Sequence, residues 1–393
     1  LNRFNPALGV TGKATGSVDF RLPSAAAMPV ADADITVDGF ARSTALTVSE
    51  PVNVHFAGRI RERQAEGRAV IRQGGEVVGR IHTELAPQIG ANGDWVQALL
   101  EAPLGGGIRY TGSAGTVFSL AGLADQELDG ALGIAADFPG QLVQPRLDGV
   151  LRARDLTYDN LAYGTRLSGL IARGRFSGDK LILEQLEAQA GPGSVSAEGT
   201  ISLASEQGFP MSIDMVLDNA RLARSEELGA RATGNLTLTK LAGKRALLSG
   251  TLNLPETRYK LRNQAVLEIP ELDGVRFVNG DEDPQATPRA TIAERPQPGF
   301  EDVNLDLKIK ARNEVFVTGL GLQSEWGADL RSTGSSAAPR LSGEVELIRG
   351  TLDFAGRAFN IERGQVRFLG GETFDPRISL RAVQQIREVS IDV

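Results

Sequence analysis

Cysteine is missing from the 393 residues, which excludes disulfides, thiolate catalysis and cysteine-based metal sites together. Histidine is nearly missing too: His55 and His82 are the only two, leaving little from which to build a hydrolytic triad. Aromatic residues amount to 5%, with two tryptophans and four tyrosines, so large core anchors and sugar-stacking rings are few. A surplus of positive charge is lacking as well. The net charge is −7, the sequence pI is about 5.2 and no basic stripe is visible, so a polyphosphate backbone would be repelled and nucleic acid is not an expected partner. No apolar run approaches the roughly 18–20 residues of a membrane helix, and the N-terminus carries neither a basic nor an apolar signal region. The sequence opens at Leu1 inside a strand-and-loop pattern and stops at Val393 midway through an alternating run. It is expected to be an excised piece, soluble as it stands, with any anchor or targeting segment outside it.

What the sequence does contain is apolar content and turn residues. Hydrophobic residues make up 41% and charged residues 23%, too apolar a balance for a disordered chain. Forty-six glycines and 18 prolines favour many short strands joined by turns over helices. The length would ordinarily divide into two or three globular domains, a count that long repetitive β-proteins escape.

Period-two alternation is the dominant pattern, because successive side chains of a strand point to opposite faces of a sheet. In VNLDLKIK at 303–310, Val303, Leu305, Leu307 and Ile309 fall on one face, and Asn304, Asp306, Lys308 and Lys310 on the other. The division recurs in Val52, Val54, Phe56 and Ile60, in Val195, Ala197, Ile201 and Leu203, and in Met211, Ile213, Met215 and Leu217. It returns in Leu248, Leu252 and Leu254 and in Ile378, Leu380 and Ala382. Each strand therefore has one wet and one dry face. Gly74-Gly75, Gly105-Gly106-Gly107 and Gly370-Gly371 punctuate the runs as hairpin or bulge positions, and a meander is the simplest connection.

A Leu-Ser-Gly or Leu-Asp-Gly tripeptide begins at residues 128, 147, 167, 248, 272 and 341, preceded by Pro-Arg at Pro145 and Pro339, which marks a degenerate repeat and an elongated array. Residues 279–300 break the pattern with Pro284, Pro288, Pro296 and Pro298 and the acidic Asp281, Glu282 and Asp283. They are expected to form an exposed, disordered loop between a repetitive β-groove segment, 1–278, and a C-terminal one, 301–393. Arg221 to Gly229 is the one segment expected to be helical.

No constellation with catalytic chemistry emerges. His55 and His82 occupy polar-phase positions, and a metal would need them to converge with a carboxylate; solvent-facing histidines are the simpler reading. Asp32, Asp34 and Asp38 echo a calcium loop, but Thr36 and Val37 stand where that loop needs a ligand and its glycine. Asp281 to Asp283 read as solvated loop charge. The Gly-rich stretches at 191–199 and 319–327 match neither phosphate-binding motif and read as turns. No nucleophile elbow is present, and carboxylates fall on the wet phase, as solubility alone requires. The expectation is a non-enzyme with no cofactor and no metal.

A one-sided sheet must cover its dry face, and with helices scarce it must curl over itself. At roughly 12 residues per strand and turn the chain supplies about 30 strands, or on the order of 140 Å of sheet. The expected fold class is therefore all-β: an elongated, curled antiparallel sheet forming an open groove with an apolar interior. The expected lining is Val303, Leu305, Leu307, Ile309, Val345, Leu347, Leu352, Phe354, Val366, Phe368, Ile378 and Leu380, with Met211, Ile213, Met215 and Leu217. Small inward residues leave room between the walls. Sheltering a ~16-carbon acyl tail is worth on the order of 12 kcal/mol, at about 0.8 kcal/mol per methylene.

From Asn313 onward the chain resembles the TamB family and the wider AsmA-like group. The resemblance is carried by NEVFVTGLGLQSEWGADLRSTGS at 313–335, PRLSGEVELIRGTLDFAGRAFNIERGQVRFLGG at 339–371 and DPRISLRA at 375–382. It covers about the last quarter closely, and the earlier strands in style. The resemblance implies a taco-like hydrophobic β-groove in the periplasm, an N-terminal inner-membrane helix, and a C-terminal end facing an Omp85-type outer-membrane protein, TamA. It further implies a role in outer-membrane protein assembly and in moving phospholipids, whose acyl chains the groove would hold. The family's anchor and extreme C-terminal tail are expected to lie outside this sequence. The alternatives are a β-helical surface adhesin, a polysaccharide-active enzyme, and a chaperone-like groove for unfolded outer-membrane strands; a membrane barrel is disfavoured by the lack of aromatic girdles.

Overall fold

The computed structural model describes residues 10–24, 27–42, 50–89, 94–119, 126–161, 164–204, 207–262, 303–371, 375–386 and 389–392. Strands account for 76% of the structure and helices for 4%, so helices cannot cover the sheet. The first stretch of sheet is β1 (Val10–Arg21), β2 (Val30–Arg42), β3 (Val52–Ile60), β4 (Ala65–Gln73), β5 (Glu76–Leu85), β6 (Leu104–Ser113) and β7 (Gln126–Asp137). A separate small hairpin, β8 (Gly140–Gln141) with β9 (Gln144–Pro145), precedes the long central strands. These are β10 (Leu147–Asn160), β11 (Thr165–Gly178), β12 (Lys180–Ala190), β13 (Gly193–Ser202), β14 (Met211–Arg224), β15 (Leu228–Lys240), β16 (Leu247–Asn253) and β17 (Thr257–Lys260). The last stretch is β18 (Asn304–Gly319), β19 (Leu322–Ser335), β20 (Pro339–Phe354), β21 (Arg357–Leu369), β22 (Arg377–Ile386) and β23 (Val389–Asp392).

All but β8 and β9 belong to a single 21-stranded sheet. Among the described residues the sheet has twenty-one strands, against roughly 30 expected along the whole chain from a 12-residue repeat, and several strands are long, reaching 16 residues in β18 and β20. Neighbours in sequence pair antiparallel, as a meander requires, with one exception. β16 and β17 both lie beside β15 and both pair parallel with β18, so together they act as one interrupted row. Pro255 falls in the interruption, where its missing donor is harmless. A parallel pair needs a long crossover, and the connection between β17 and β18 contains the proline-rich stretch 279–300, which lies outside the described residues.

Local chemistry fixes the turns. Gly74 and Gly75, at φ 57° and 90°, supply the two left-handed positions that a tight β4–β5 hairpin demands. Two short helices that the alternation did not reveal interrupt the strands. In α1 (Trp95–Leu100) the Asp94 side chain accepts from the amides of Val96 and Gln97, and α2 (Ala114–Ser119) follows β6 and packs against β7. The helix expected at 221–229 is instead the end of β14 and the start of β15, with Arg221 opposite Arg231 and Ala223 opposite Ala230. Pairing prevailed over local helix preference because it buries Ala220 and Ala223 on the dry face.

The sheet closes on itself at its centre. The β12–β13 hairpin is short, turning at Gly191, so β11 and β14 extend past it and meet: the Thr165 hydroxyl donates to the Leu222 carbonyl, and a Cβ on Gly164 would lie 2.3 Å from the Arg224 carbonyl oxygen. Buried residues gather in three clusters along the sheet. One spans β6 to β12 around Tyr110, Leu132, Leu156 and Leu170; a second spans β12 to β18 around Ala190, Leu217, Ala232 and Leu307; the third holds Phe359, Ile361 and Ala382. Leu167 packs against both of the first two and joins them at the pinch.

Candidate functional site

Residues opposed across a ladder share a face, so the register traces the dry surface from strand to strand. Ala33 of β2 stands between Val18 of β1 and Gly58 of β3, and Ile35 faces Phe56. Phe56 leads to Ala69, Ile81, Ile108, Ala136, Gly149 and Phe176 across β4 to β11. Phe176 leads to Leu181, Ile201 and Met211, and one row further in, Leu238 faces Leu248, which faces Leu305 across the parallel seam. Ile309 faces Leu330, and Ala328, Val345, Val366 and Ile378 continue the face to β22. Bulges occur along the way without reversing the phase, so one apolar face runs unbroken across the described sheet. Away from the strand ends, no Asp, Glu, Lys or Arg occupies an opposed position on it among the described residues.

The expected lining residues all fall on this face but differ in surroundings. Met211, Ile213, Met215 and Leu217 oppose Ile201, Gly199, Ala197 and Val195, and with Leu305, Leu307 and Ile309 they border or enter the second buried cluster. Val303 lies at the start of β18, where its amide donates to the Ser336 hydroxyl. Val345, Leu347, Val366 and Phe368 are half-buried, and Leu352 packs on the third cluster. Phe354, at the β20–β21 turn, is 61% exposed, and Ile378 is 68% exposed where β22 forms the edge of the sheet, with Leu380 beside it. These three share the phase of the lining without its burial.

Small inner residues set the shape of the face. A Cβ on Gly67 would meet the Phe56 ring at 3.2 Å, one on Gly79 the Tyr110 ring at 3.2 Å, and one on Gly364 the Trp326 ring at 2.8 Å. Aromatic rings therefore pack directly against neighbouring glycines, where a Cβ would crowd them. Trp326 was not foreseen as a lining residue, although its spacing from Leu322 and Ser324 places it in phase.

The outer face carries cross-strand ion pairs: Arg61–Asp32, Arg109–Asp137 and Arg331–Asp306 at 2.7–2.8 Å, with Arg349–Glu325 and Arg367–Glu344 beside them. Exposed pairs of this kind each contribute about 0–1 kcal/mol, so they serve chiefly to keep that face wet. Both histidines are here. His55 Nε2 lies 3.3 Å from Asp34, and His82 Nε2 lies 3.1 Å from Glu84, with Glu66 close enough that one ligand atom of each falls within 4.8 Å of the others. His82 thus meets two carboxylates, of which Arg59 holds Glu66. Perturbed acidities arise from burial or pairing: burial pushes the Tyr110 and Tyr158 phenols up, and the Arg262 guanidinium holds Glu226 down.

A single sheet, dry and nearly charge-free on one curled face and ion-paired on the other, defines a β-groove protein whose inner face is the candidate site. Over residues 184–393, a little more than half of the chain, the sequence matches the model of the TamB C-terminal domain, and the chain belongs to the TamB family. That family is a component of outer-membrane assembly in the cell envelope, and its members act in transport and assembly instead of catalysis. No curated protein matches the chain, and no solved structure does. No helix among the described residues is long and apolar enough to cross a membrane.

Proposed function

We propose that the groove is a hydrophobic conduit that carries phospholipid acyl chains through the periplasm between inner and outer membranes. The observation that carries this reading is the continuity of the dry phase from β1 to β22 together with its incomplete burial. An acyl chain leaving water gains about 0.8 kcal/mol per methylene, and a face without charges offers shelter at every step, so movement along it is diffusive. Segments 1–278 and 301–393 act as two lengths of one groove, joined at the parallel seam. The lining is Met211, Ile213, Met215, Leu217, Val303, Leu305, Leu307, Ile309, Val345, Leu347, Leu352, Phe354, Val366, Phe368, Ile378 and Leu380. Docking to an Omp85-type partner, TamA, at the outer membrane and anchoring in the inner membrane complete the path.

The test is photo-crosslinking from opposite phases of the same strands. Probes at Leu305, Leu307 and Val345 should capture phospholipid, and probes at Asp306 and Glu346 should not. Equal labelling of the two sets would refute the assignment. Capture of unfolded polypeptide in place of lipid at the inner sites would replace the acyl cargo with outer-membrane strands. Lipid extraction from the purified chain followed by mass spectrometry identifies the headgroup class.

A further inference from the structure

The inner face of β19 to β22 has two unlike halves, and one residue stands between them. Toward the β20–β21 turn, Phe359, Ile361 and Ala382 are buried, with Leu322, Leu347 and Leu352 packed against them. Toward the opposite rim, Val345, Val366 and Phe368 are half-buried, as Leu322, Leu347 and Leu352 are, but join no buried cluster, and Ile378 is open. Trp326 lies at the boundary. It opposes Val315 and Leu347, and its ring reaches past Leu347 to Gly364 on β21, which spans two strand spacings of about 4.8 Å each.

This ring is held in place. Its Nε1–H donates to the Ser324 hydroxyl at 2.7 Å, and that hydroxyl in turn donates to the Val317 carbonyl at 3.1 Å, so the indole is tied to the adjoining strand. Trp326 and Ser324 are buried, at 5% and 6% exposure. Gly364 makes room for the ring: a Cβ there would lie 2.8 Å from Trp326 and 2.9 Å from the Leu347 Cβ. A tethered, buried indole seated on a glycine is a fixed barrier, since the backbone beneath it cannot yield without moving the strand.

We infer that Trp326 confines the acyl path of the C-terminal groove to the half lined by Leu330, Val345, Val366 and Phe368, and closes the other half to lipid. This rests on the conduit reading and assigns it a route-determining residue. A wide trough would let a chain lie anywhere across its floor; a wall at Trp326 reduces the floor to a lane and so limits the number of acyl chains that pass abreast.

The experiment places photo-crosslinking side chains at Val345 and Val366 on the open side, at Leu322 and Leu352 on the packed side, and at Leu248 upstream as a reference. The probe is vesicles of phosphatidylethanolamine and phosphatidylglycerol. In the parent protein, capture on the open side should exceed that on the packed side by roughly tenfold, the discrimination that about 1.4 kcal/mol of unequal access provides. Trp326→Ala should bring that ratio toward one. Gly364→Val should do the same by displacing the ring with the tryptophan retained, which separates loss of the wall from loss of the fold. Equal capture at the four sites in the parent, or a ratio unmoved by both variants, overturns the inference while leaving the conduit standing. Capture at Leu248 with none at the four sites also overturns it, whereas no capture at Leu248 either removes the conduit reading itself.

Discussion

The centre of the sheet and its N-terminal end follow the same inner-face pattern and reach opposite states of burial. At the centre, Ala190, Ala220 and Ala232 are fully buried and Leu217 is 4% exposed, whereas on β1 Val18 and Phe20 are 61% and 56% exposed. Phe20 has Trp95 of α1 for company, with ring centroids 6.1 Å apart, yet stays open. Both regions alternate cleanly, so alternation does not decide burial. The difference lies in strand length: at the centre, long β11 and β14 overreach the short β12–β13 hairpin and close on each other, while among the described residues β1, β2 and β3 show no such strand-to-strand closure. Phase selects which face is dry, and unequal strand lengths select where the groove is pinched or open.

Placing a charge on each region breaks the comparison most forcefully. Leu217→Glu buries a carboxylate without a partner and should cost on the order of 4 kcal/mol, read as a lowered denaturation midpoint. Val18→Glu, on the open end, should stay within about 0.5 kcal/mol of the parent. Similar losses at both sites would show that the N-terminal face is covered in solution. A milder version uses volume. Ala220→Leu overfills the pinch and should cost about 1–3 kcal/mol, while Ala33→Leu, facing Val18 and Gly58, should be nearly neutral by the same measurement.

The outcome of these substitutions depends on features of unequal legibility. The faces were readable, because Met211, Ile213, Met215 and Leu217, or Leu305, Leu307 and Ile309, alternate without interruption and period two has a single structural meaning. Curvature was not readable. Nothing in Thr165 or Leu222 taken singly announces that they bond across 57 residues, since the contact depends on how far two strands outrun the hairpin between them. Arg221 to Gly229 reads as helical for a related reason: its charges, its leucines and Ala223 satisfy a local preference that cross-strand pairing with Arg231 and Ala230 overrules. The parallel seam was hidden as well, because Leu248 and Leu305 carry the same pattern whichever way their strands run. Trp326 is in phase but stands two residues from polar Ser324, which masks the apolar run and whose hydroxyl is what holds the ring.

A sharper probe of the pinch removes one atom group. Thr165→Val keeps the shape and deletes the donor to the Leu222 carbonyl, leaving that acceptor without its partner. The expected loss is about 1 kcal/mol, and amide hydrogen exchange should quicken at the ends of β11 and β14 ahead of the rest of the sheet. Uniform exchange throughout would show that the pinch is not an independent latch.

The smallest expected effect is a titration confined to the centre and its flank. Tyr110 donates to the Ser113 carbonyl and Tyr158 to the Gln126 side chain, both at 2.8 Å, and burial raises both phenols above their usual value. A phenol whose folded acidity constant is raised favours the neutral form in the folded state. Its contribution is therefore complete below the unfolded value of about 10 and is lost as pH rises through the folded value. Denaturation midpoints should accordingly be level near pH 8 and decline above about pH 10. Tyr158→Phe should shallow that decline, because a phenyl ring keeps the contact with Phe118, 6.3 Å away edge to face, and has no proton to lose. An undiminished decline in Tyr158→Phe would assign the alkaline loss to other groups and mark the centre as wetter than its packing indicates.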